Sequence, residues 1–344
     1  MTEPDAERAR PTMRDVAKRA GVSFKTVSRV VNAEPGVSRP VREQVQRVID
    51  EVGYRHDRAA SDLRRGVRRT GLVGALLQDV GNDYSAAVLR AVTDAAHLRG
   101  SAVLAASLDE QSDREHLLVR DLVSRRVDGL VMMTASERQD YLVAEQRGSM
   151  PVVFVDRPPM GLIADSVTVD NVAGTRQAVE HLLDHGHRRI AVLSDLDTIP
   201  TARLRRETVQ ERLHEAGVPL DGSLVASGLR TGDDAMATVL RMMGQFDPPT
   251  ALITMRNSLS VGAIRALRGL GLQHRVALVG FDDFELADLM QPGLTVVRQD
   301  VAVIGAEAAR LLFARIDGDT SPPLQVVVPH SLVQRGSGEI SPSR

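Results

Sequence analysis

The sequence predicts an α/β protein: a small helical headpiece followed by two doubly wound parallel-sheet lobes. Three observations carry this. Between residues 12 and 53, apolar residues recur at helical spacing in three short segments punctuated by Gly21, the loop AEPGV and Gly53. Beyond Thr70, the apolar runs GLVGALL, AVLAAS, DGLVMM and VVFVD alternate with helical patterns, the texture of strands covered on both faces. A second set of the same kind, RIAVLS, LVAS, ALIT, ALVGFDD and LTVV, follows Asp170.

In chain order, residues 1–11 are expected to be a disordered tail. Thr12 with Asp15 three residues on forms a capping box, so a helix should start there and bury Val16, Ala17 and Ala20. Gly21 supplies a turn, and Ser23 caps a second helix whose inward residues are Val27, Val30 and Val31. Two short helices joined by a tight glycine turn make a helix-turn-helix. Ser38, with Pro40 in the first turn, opens a third helix striped by Val41, Val45, Val48, Ile49 and Val52, and Gly53 closes it. The second helix leaves Phe24, Lys25, Thr26, Ser28 and Arg29 outward, mostly types that reach phosphates and base edges. A merely structural three-helix bundle has no use for an exposed Phe24. Residues 54–69 read as a further short helix and linker with Ala59, Ala60 and Leu63 on one small apolar face. In the body, helices are expected near 84–99, 112–126, 137–147, 172–185, 202–216, 233–243 and 258–270, the core running over 70–338 with a tail at 339–344.

Charge and composition narrow the function. The chain has 344 residues, 43% hydrophobic and 26% charged, which suits an ordinary globular protein. Residues 1–70 hold 16 basic and 10 acidic residues, and the other 274 hold 27 and 35. A head of +6 on a body of −8 points the head at a polyanion. The absence of cysteine excludes disulfides and thiolate chemistry and fits a reducing cytoplasm, where the protein is expected. No run of transmembrane length and no signal peptide is read. Enzyme chemistry finds no support: neither G-x-S-x-G nor G-x-G-x-x-G occurs. His185-Gly186-His187 ends a predicted helix without a third ligand, so a capping role outweighs a metal site. No cofactor is expected, and a stand-alone ligand-binding protein or sugar-transforming enzyme would leave the headpiece unexplained.

The runs TMRDVAKRAGVSFKTVSRVVN, VSRPVREQVQRVIDEVGY and RAASDLRRG closely resemble the lactose-repressor (LacI/GalR) family of bacterial transcription regulators. RRVDGLV, PVVFVDR, VDNVAGTRQAVEHLLDHGHRRIAVL, LVGFDDFELADLMQPGLTVVRQD and LVQRGSG extend the resemblance, more loosely, over nearly all the chain from Thr12. It implies a periplasmic-binding-protein-like core whose chain crosses between lobes. Lobe 1 is then about 70–169 and 301–325, and lobe 2 about 172–298 and 326–338. It also implies a homodimer on double-stranded, pseudo-palindromic operator DNA, most often as a repressor, with no leucine heptad tail to build a tetramer. Phe24 and Lys25 would read bases with help from Ser23 and Arg29. Thr12, Thr26, Ser28, Asn32 and Ser38 would hold phosphates or helix ends. Arg58, Ala60 and Leu63 would belong to a hinge helix at the minor groove.

For a small-molecule effector, a sugar or an anionic metabolite, the resemblance implies Asp79, Asp156, Arg205, Asn257 and Asp282. Three departures stand out. His56-Asp57 replaces the family's Pro-Asn, Arg205-Arg206-Glu207-Thr208-Val209 replaces Arg-Leu-x-Gly-aromatic, and Arg256-Asn257 replaces Asn-Asp. An amide in place of that carboxylate, next to an added arginine, is less suited to a neutral sugar. An anionic ligand, another sugar pose, or no effector are the alternatives. Leu63 matches the leucine that relatives wedge into the central base step. Leu63→Ala is expected to weaken operator binding and reduce DNA bending in a circular-permutation mobility assay; an unaltered bend angle would refute the wedge.

Overall fold

A computed structural model describes residues 11–32, 34–54, 69–147 and 150–342, in two compact units, Met1–Thr70 and Gly71–Arg344. In the first, α1 (Met13–Ala20), α2 (Phe24–Val31) and α3 (Arg39–Val52) enclose a core of Val16, Ala17, Ala20, Val27, Val30, Val45 and Val48. The Thr12–Asp15 capping box forms, with the Thr12 amide 2.8 Å from the Asp15 carboxylate. Gly21 and Gly53 take φ of 62° and 67°, a left-handed backbone that only glycine adopts without penalty. Gln44 Nε2 donates to the Ala20 carbonyl at 2.9 Å, tying α3 to the turn.

The second unit contains two six-stranded sheets. The first has the order β11-β5-β4-β3-β1-β2, with β1 Leu72–Leu77, β2 Ala102–Ser107, β3 Gly129–Met132, β4 Val152–Val155, β5 Asp165–Val169 and β11 Gln325–Val328. The second has the order β12-β10-β9-β8-β6-β7, with β6 Ile190–Leu193, β7 Val225–Ala226, β8 Ala251–Thr254, β9 Ala277–Phe281, β10 Thr295–Gln299 and β12 His330–Val333. Every pairing is parallel except β10 with β12. Leaving out β11 and β12, both sheets wind identically, reversing direction beside their first strand. That reversal opens a crevice at the carboxyl ends of the strands, where ligands of such folds bind.

Three crossings join the lobes. The chain leaves β5 for the helix Asn171–Asp184 of the second lobe and leaves β10 for the helix Val301–Ile316 of the first. Asp170 and Asp300 cap these helices, accepting from Ala173 N at 2.8 Å and Val303 N at 3.1 Å. Arg315 then clamps the returning helix to β5 through a two-pronged bond to Asp165, at 2.7 and 2.9 Å. Residues 325–328 pair with β5, so the crossing expected at 325/326 falls instead at Pro329.

The sequence reading misses β5, because DSVTV alternates polar and apolar residues instead of forming a continuous run. Helix 137–147 shrinks to a short 3₁₀ turn, Asp140–Leu142, and the helix Val143–Arg147. Just ahead of it the fully buried Glu115 accepts from Ser136 N and Thr134 Oγ1, both at 3.1 Å, and from Ala135 N, and Gln139 turns back into this loop, donating to Thr134 Oγ1 at 3.0 Å and to the Ser136 carbonyl at 2.6 Å.

Gly232 and Gly262 let the helices Gly232–Met243 and Asn257–Gly269 touch backbone to backbone: a Cβ on Gly262 would overlap the Gly232 carbonyl oxygen. Gly262→Ala is expected to destabilise the protein by about 1–3 kcal/mol in denaturant unfolding. Gly269→Ala, whose Cβ meets nothing, is the control and should leave stability unchanged or raise it slightly.

Candidate functional site

Two surfaces gather the residues singled out by sequence. On the headpiece, Ser23 caps α2, its hydroxyl accepting from Thr26 N at 3.1 Å and lying 2.8 Å from Thr26 Oγ1. Asn32 at the other end donates to Ser28 Oγ at 3.2 Å. Thr26, Ser28 and Asn32 are thus half-buried and partly committed to the helix itself. Phe24 is 46% exposed at the first position of α2, beside an exposed Lys25 that has no partner among the described residues. Arg29 is half-buried on the same helix, and Thr12 and Ser38 stand exposed before α1 and α3. Unlike Thr12 and Ser23, Ser38 makes no side-chain cap bond. Arg58, Ala60 and Leu63, with the hinge expected around them, lie outside the described residues.

The second surface is the cleft between the lobes. It is lined from both by Gln78, Asn82, Tyr84, Asp156 and Arg157 on one side and Asp195, Arg205, Arg256 and Asp282 on the other, with Gln299 at a crossing. The winding explains this set: Gln78 follows β1, Asp156 follows β4, Asp195 follows β6 and Asp282 follows β9, all carboxyl ends of strands. Asp156 and Asp282 occupy matching places in the two lobes. Each has a left-handed backbone, φ 69° and 72°, and each donates its amide to the next strand, Val167 O at 3.1 Å and Val297 O at 3.0 Å. A non-glycine residue held at positive φ is strained, and such strain concentrates where a side chain must be aimed.

Arg205 forms the floor. It is 5% exposed, with Nε donating to Asn171 Oδ1 and Nη1 to the Met255 carbonyl, both at 2.7 Å. Its guanidinium lies 3.5 Å over the Phe281 ring. Burial pushes the Asp282 carboxyl above the ordinary carboxylate range, against the pull of Arg205 and the Gln299 amide. Burial and the nearby Asp156 and Asp282 likewise push the Tyr84 phenol well up. Tyr84 Oη and Gln299 Oε1 are buried without a hydrogen-bond partner among the described residues.

Asp156, Arg205 and Asp282 therefore come together, but two expected residues do not. Asp79 turns back on its own loop and accepts from Gly81 N at 2.8 Å. Asn257 is 5% exposed and bonds across the lobes, accepting from Asn82 Nδ2 at 2.8 Å. The added positive charge expected from Arg256 is also cancelled. Its Nη1 bonds the Asp195 carboxylate, its Nε donates to Ser258 Oγ at 2.8 Å, and its Nη2 donates to the Arg230 carbonyl at 2.6 Å. Arg157 is held by Glu110, at 2.6 and 2.8 Å, and by the Thr134 carbonyl at 2.7 Å, while its Nε makes no hydrogen bond among the described residues and lies 3.5 Å from Asp156 Oδ2. Tyr84, Arg157, Asp195 and Gln299 were missed by sequence reasoning. Three of them, Arg157, Asp195 and Gln299, stand at or just beyond strand carboxyl ends, and counting along from each apolar run would have found them.

The paired histidines have structural partners. His185 Nδ1 is 2.7 Å from the His181 carbonyl, and the fully buried His187 spans Thr250 Oγ1 at 2.9 Å and the Ile340 carbonyl at 2.7 Å. No described helix is long and apolar enough to cross a membrane.

Residues 12–57 match the model of the bacterial regulatory proteins of the lacI family, and residues 179–338 match a periplasmic binding protein-like domain. Catabolite control protein A of Priestia megaterium is 30% identical over 95% of this chain and 98% of its own. The transcriptional regulator CelR of Thermobifida fusca is 32% identical over 96% and 99%. Among solved structures, a lac repressor dimer bound to operator and the anti-inducer ONPF superposes with a TM-score of 0.83 at 27% identity, over 96% of this chain and 99% of that one. A CelR–cellobiose complex superposes with a TM-score of 0.69 at 31% identity, over 95% and 100%. A helix-turn-helix headpiece ahead of a two-lobed, periplasmic-binding-protein-like body, matched along nearly its whole length by transcription regulators, places the chain in the lacI family of bacterial regulatory proteins.

Proposed function

We propose that this regulator binds a pseudo-palindromic DNA operator as a homodimer in the cytoplasm, and that a neutral, polyhydroxylated ligand of the sugar class in the inter-lobe cleft controls that binding. The observation that carries the ligand class is the state of the cleft's polar groups. Most of its guanidinium nitrogens donate to partners within the protein, with Arg157 Nε left open beside Asp156, whereas Asp156, Asp282 and Gln299 Oε1 remain to accept from hydroxyl groups and the Tyr84 hydroxyl to donate or accept. An acid would face the Asp156 and Asp282 carboxylates in the same cleft, which counts against the anionic alternative. The cellobiose found in the CelR complex is of the same chemical class.

On DNA, α2 enters the major groove, Phe24 and Lys25 read base edges, and Ser23 and Arg29 assist. Thr12, Thr26, Ser28, Asn32 and Ser38 fix helix ends and phosphates, and Arg58, Ala60 and Leu63 act at the minor groove. The exposed Phe24 and Lys25 at the start of a capped helix support this assignment. The ligand acts by binding two arrangements of the lobes unequally, since equal affinity would shift nothing.

Lys25→Ala is expected to relax base preference at one or two operator positions by roughly 1–3 kcal/mol, read by selection from randomised DNA. An unchanged preference profile would refute the assignment. Asp282→Asn separates stability from function. Because burial raises the folded-state pKa, ionised Asp282 costs folding free energy. That cost is absent below the ordinary value of 3.8, where both states are protonated, and grows as pH rises through the raised value. The variant should therefore melt higher than the parent near neutral pH, by a margin that vanishes in acid, while losing sugar-dependent stabilisation. A saturating sugar at about 100 times its Kd should add about 2.7 kcal/mol to the parent.

A further inference from the structure

We propose that Asp195 sets the charge selectivity of the cleft: by neutralising Arg256 on the cleft wall it admits neutral sugars and excludes their acidic counterparts. This rests on the sugar-cleft reading above.

The geometry distinguishes Asp195 from the other carboxylates. Glu110 neutralises Arg157 but is not part of the cleft lining. Asp156 and Asp282 project from strand ends. Asp195 lines the cleft and directly hydrogen-bonds a lining arginine, whereas Asp156 lies 3.5 Å from Nε of an Arg157 already held by Glu110. It is 5% exposed, with Oδ1 fixed by the Leu196 amide at 2.8 Å and Oδ2 on Arg256 Nη1. Arg256 would keep its place without it, because Ser258 Oγ and the Arg230 carbonyl still hold Nε and Nη2.

Two consequences follow. A ligand carboxylate that approaches Arg256 must displace Asp195, leaving a buried anion without its partner, which is strongly unfavourable. A hydroxyl can donate to Asp195 or accept beside it without breaking the pair. Removing the charge at 195 while keeping the side chain's size leaves Arg256 in place with an open, charged donor facing the cleft, the arrangement that binds a carboxylate. The departure at Arg256 thus adds a cation that the chain itself masks, and Asp195 is the mask.

The test uses the full-length protein, thermal shift and isothermal titration, and matched pairs of neutral sugar and uronic acid: glucose with glucuronate, galactose with galacturonate, and cellobiose with its uronate. The wild type is expected to prefer the neutral member of whichever pair it binds. Asp195→Asn should move the neutral-to-acid affinity ratio towards the acid by about tenfold or more. Asp195→Glu should retain the wild-type preference. A ratio unchanged in Asp195→Asn, with neutral binding intact, overturns the role of Asp195 and leaves the sugar cleft standing. A wild type that prefers the acid overturns both, as does one that binds no neutral member. Should Asp195→Asn fail to fold, Arg256→Gln removes the masked cation, so the ratio should hold or rise towards the neutral sugar; a fall would refute the proposal.

Discussion

The buried guanidinium of Arg205 is the interaction on which the body's organisation depends. It reaches Asn171 at the first crossing, the Met255 carbonyl just after β8 and the ring of Phe281 at the end of β9. These donors and acceptors come from three separate stretches of the second lobe, and a cation in that position is tolerable only if all of them are in place. The floor of the cleft is therefore fixed before any ligand arrives, and Asp282 is placed where a neighbouring cation offsets part of its burial. Affinity then comes from a preformed polar surface, with little left to be ordered on binding.

Much of this was legible in the residues. The headpiece was readable because its helices are short, capped and separated by obligatory turns; Thr12, Gly21, Ser23 and Gly53 each act locally. The parallel lobes were readable because strands covered on both faces must be continuously apolar. β5 escaped because its edge-side residues, Asp165 and Ser166, are buried by bonds to Arg315 and the chain around Leu324, partners 150 residues away or more. The shortening of helix 137–147 escaped for a similar reason, since Gln139 is drawn towards Thr134 and Ser136, which a buried carboxylate at 115 holds in place. In the cleft, resemblance identified Asp156, Arg205 and Asp282 as neighbours, but not the pairing state of Arg256, which depends on Asp195 sixty-one residues earlier. Charge counted along a sequence is not charge presented to a ligand.

The two lobes repeat one plan: the same strand order, an aspartate at positive φ after the fourth strand, and a capping aspartate as the chain leaves for the other lobe. Within that symmetry the contents differ. Each lobe pairs an arginine with a carboxylate, Arg157 with Glu110 and Arg256 with Asp195, and the second lobe adds Arg205, held by neutral groups. That extra cation makes the two halves of the cleft unequal, and Asn82 with Asn257 closes the frame at one point without charge.

The crossings also bear on how the chain folds. The first sheet lacks its outer strand, and the helix that packs on Asp83–Leu98, until residues 301–328 exist. Gly305 must settle against Val88 and Ala91, more than two hundred residues earlier. The first lobe emerges first from the ribosome but waits for its outer strand, β11, until all of the second lobe's sheet except β12 is made. Its exposed apolar face must stay uncovered through that interval, so the two lobes are completed together although one is begun long before the other.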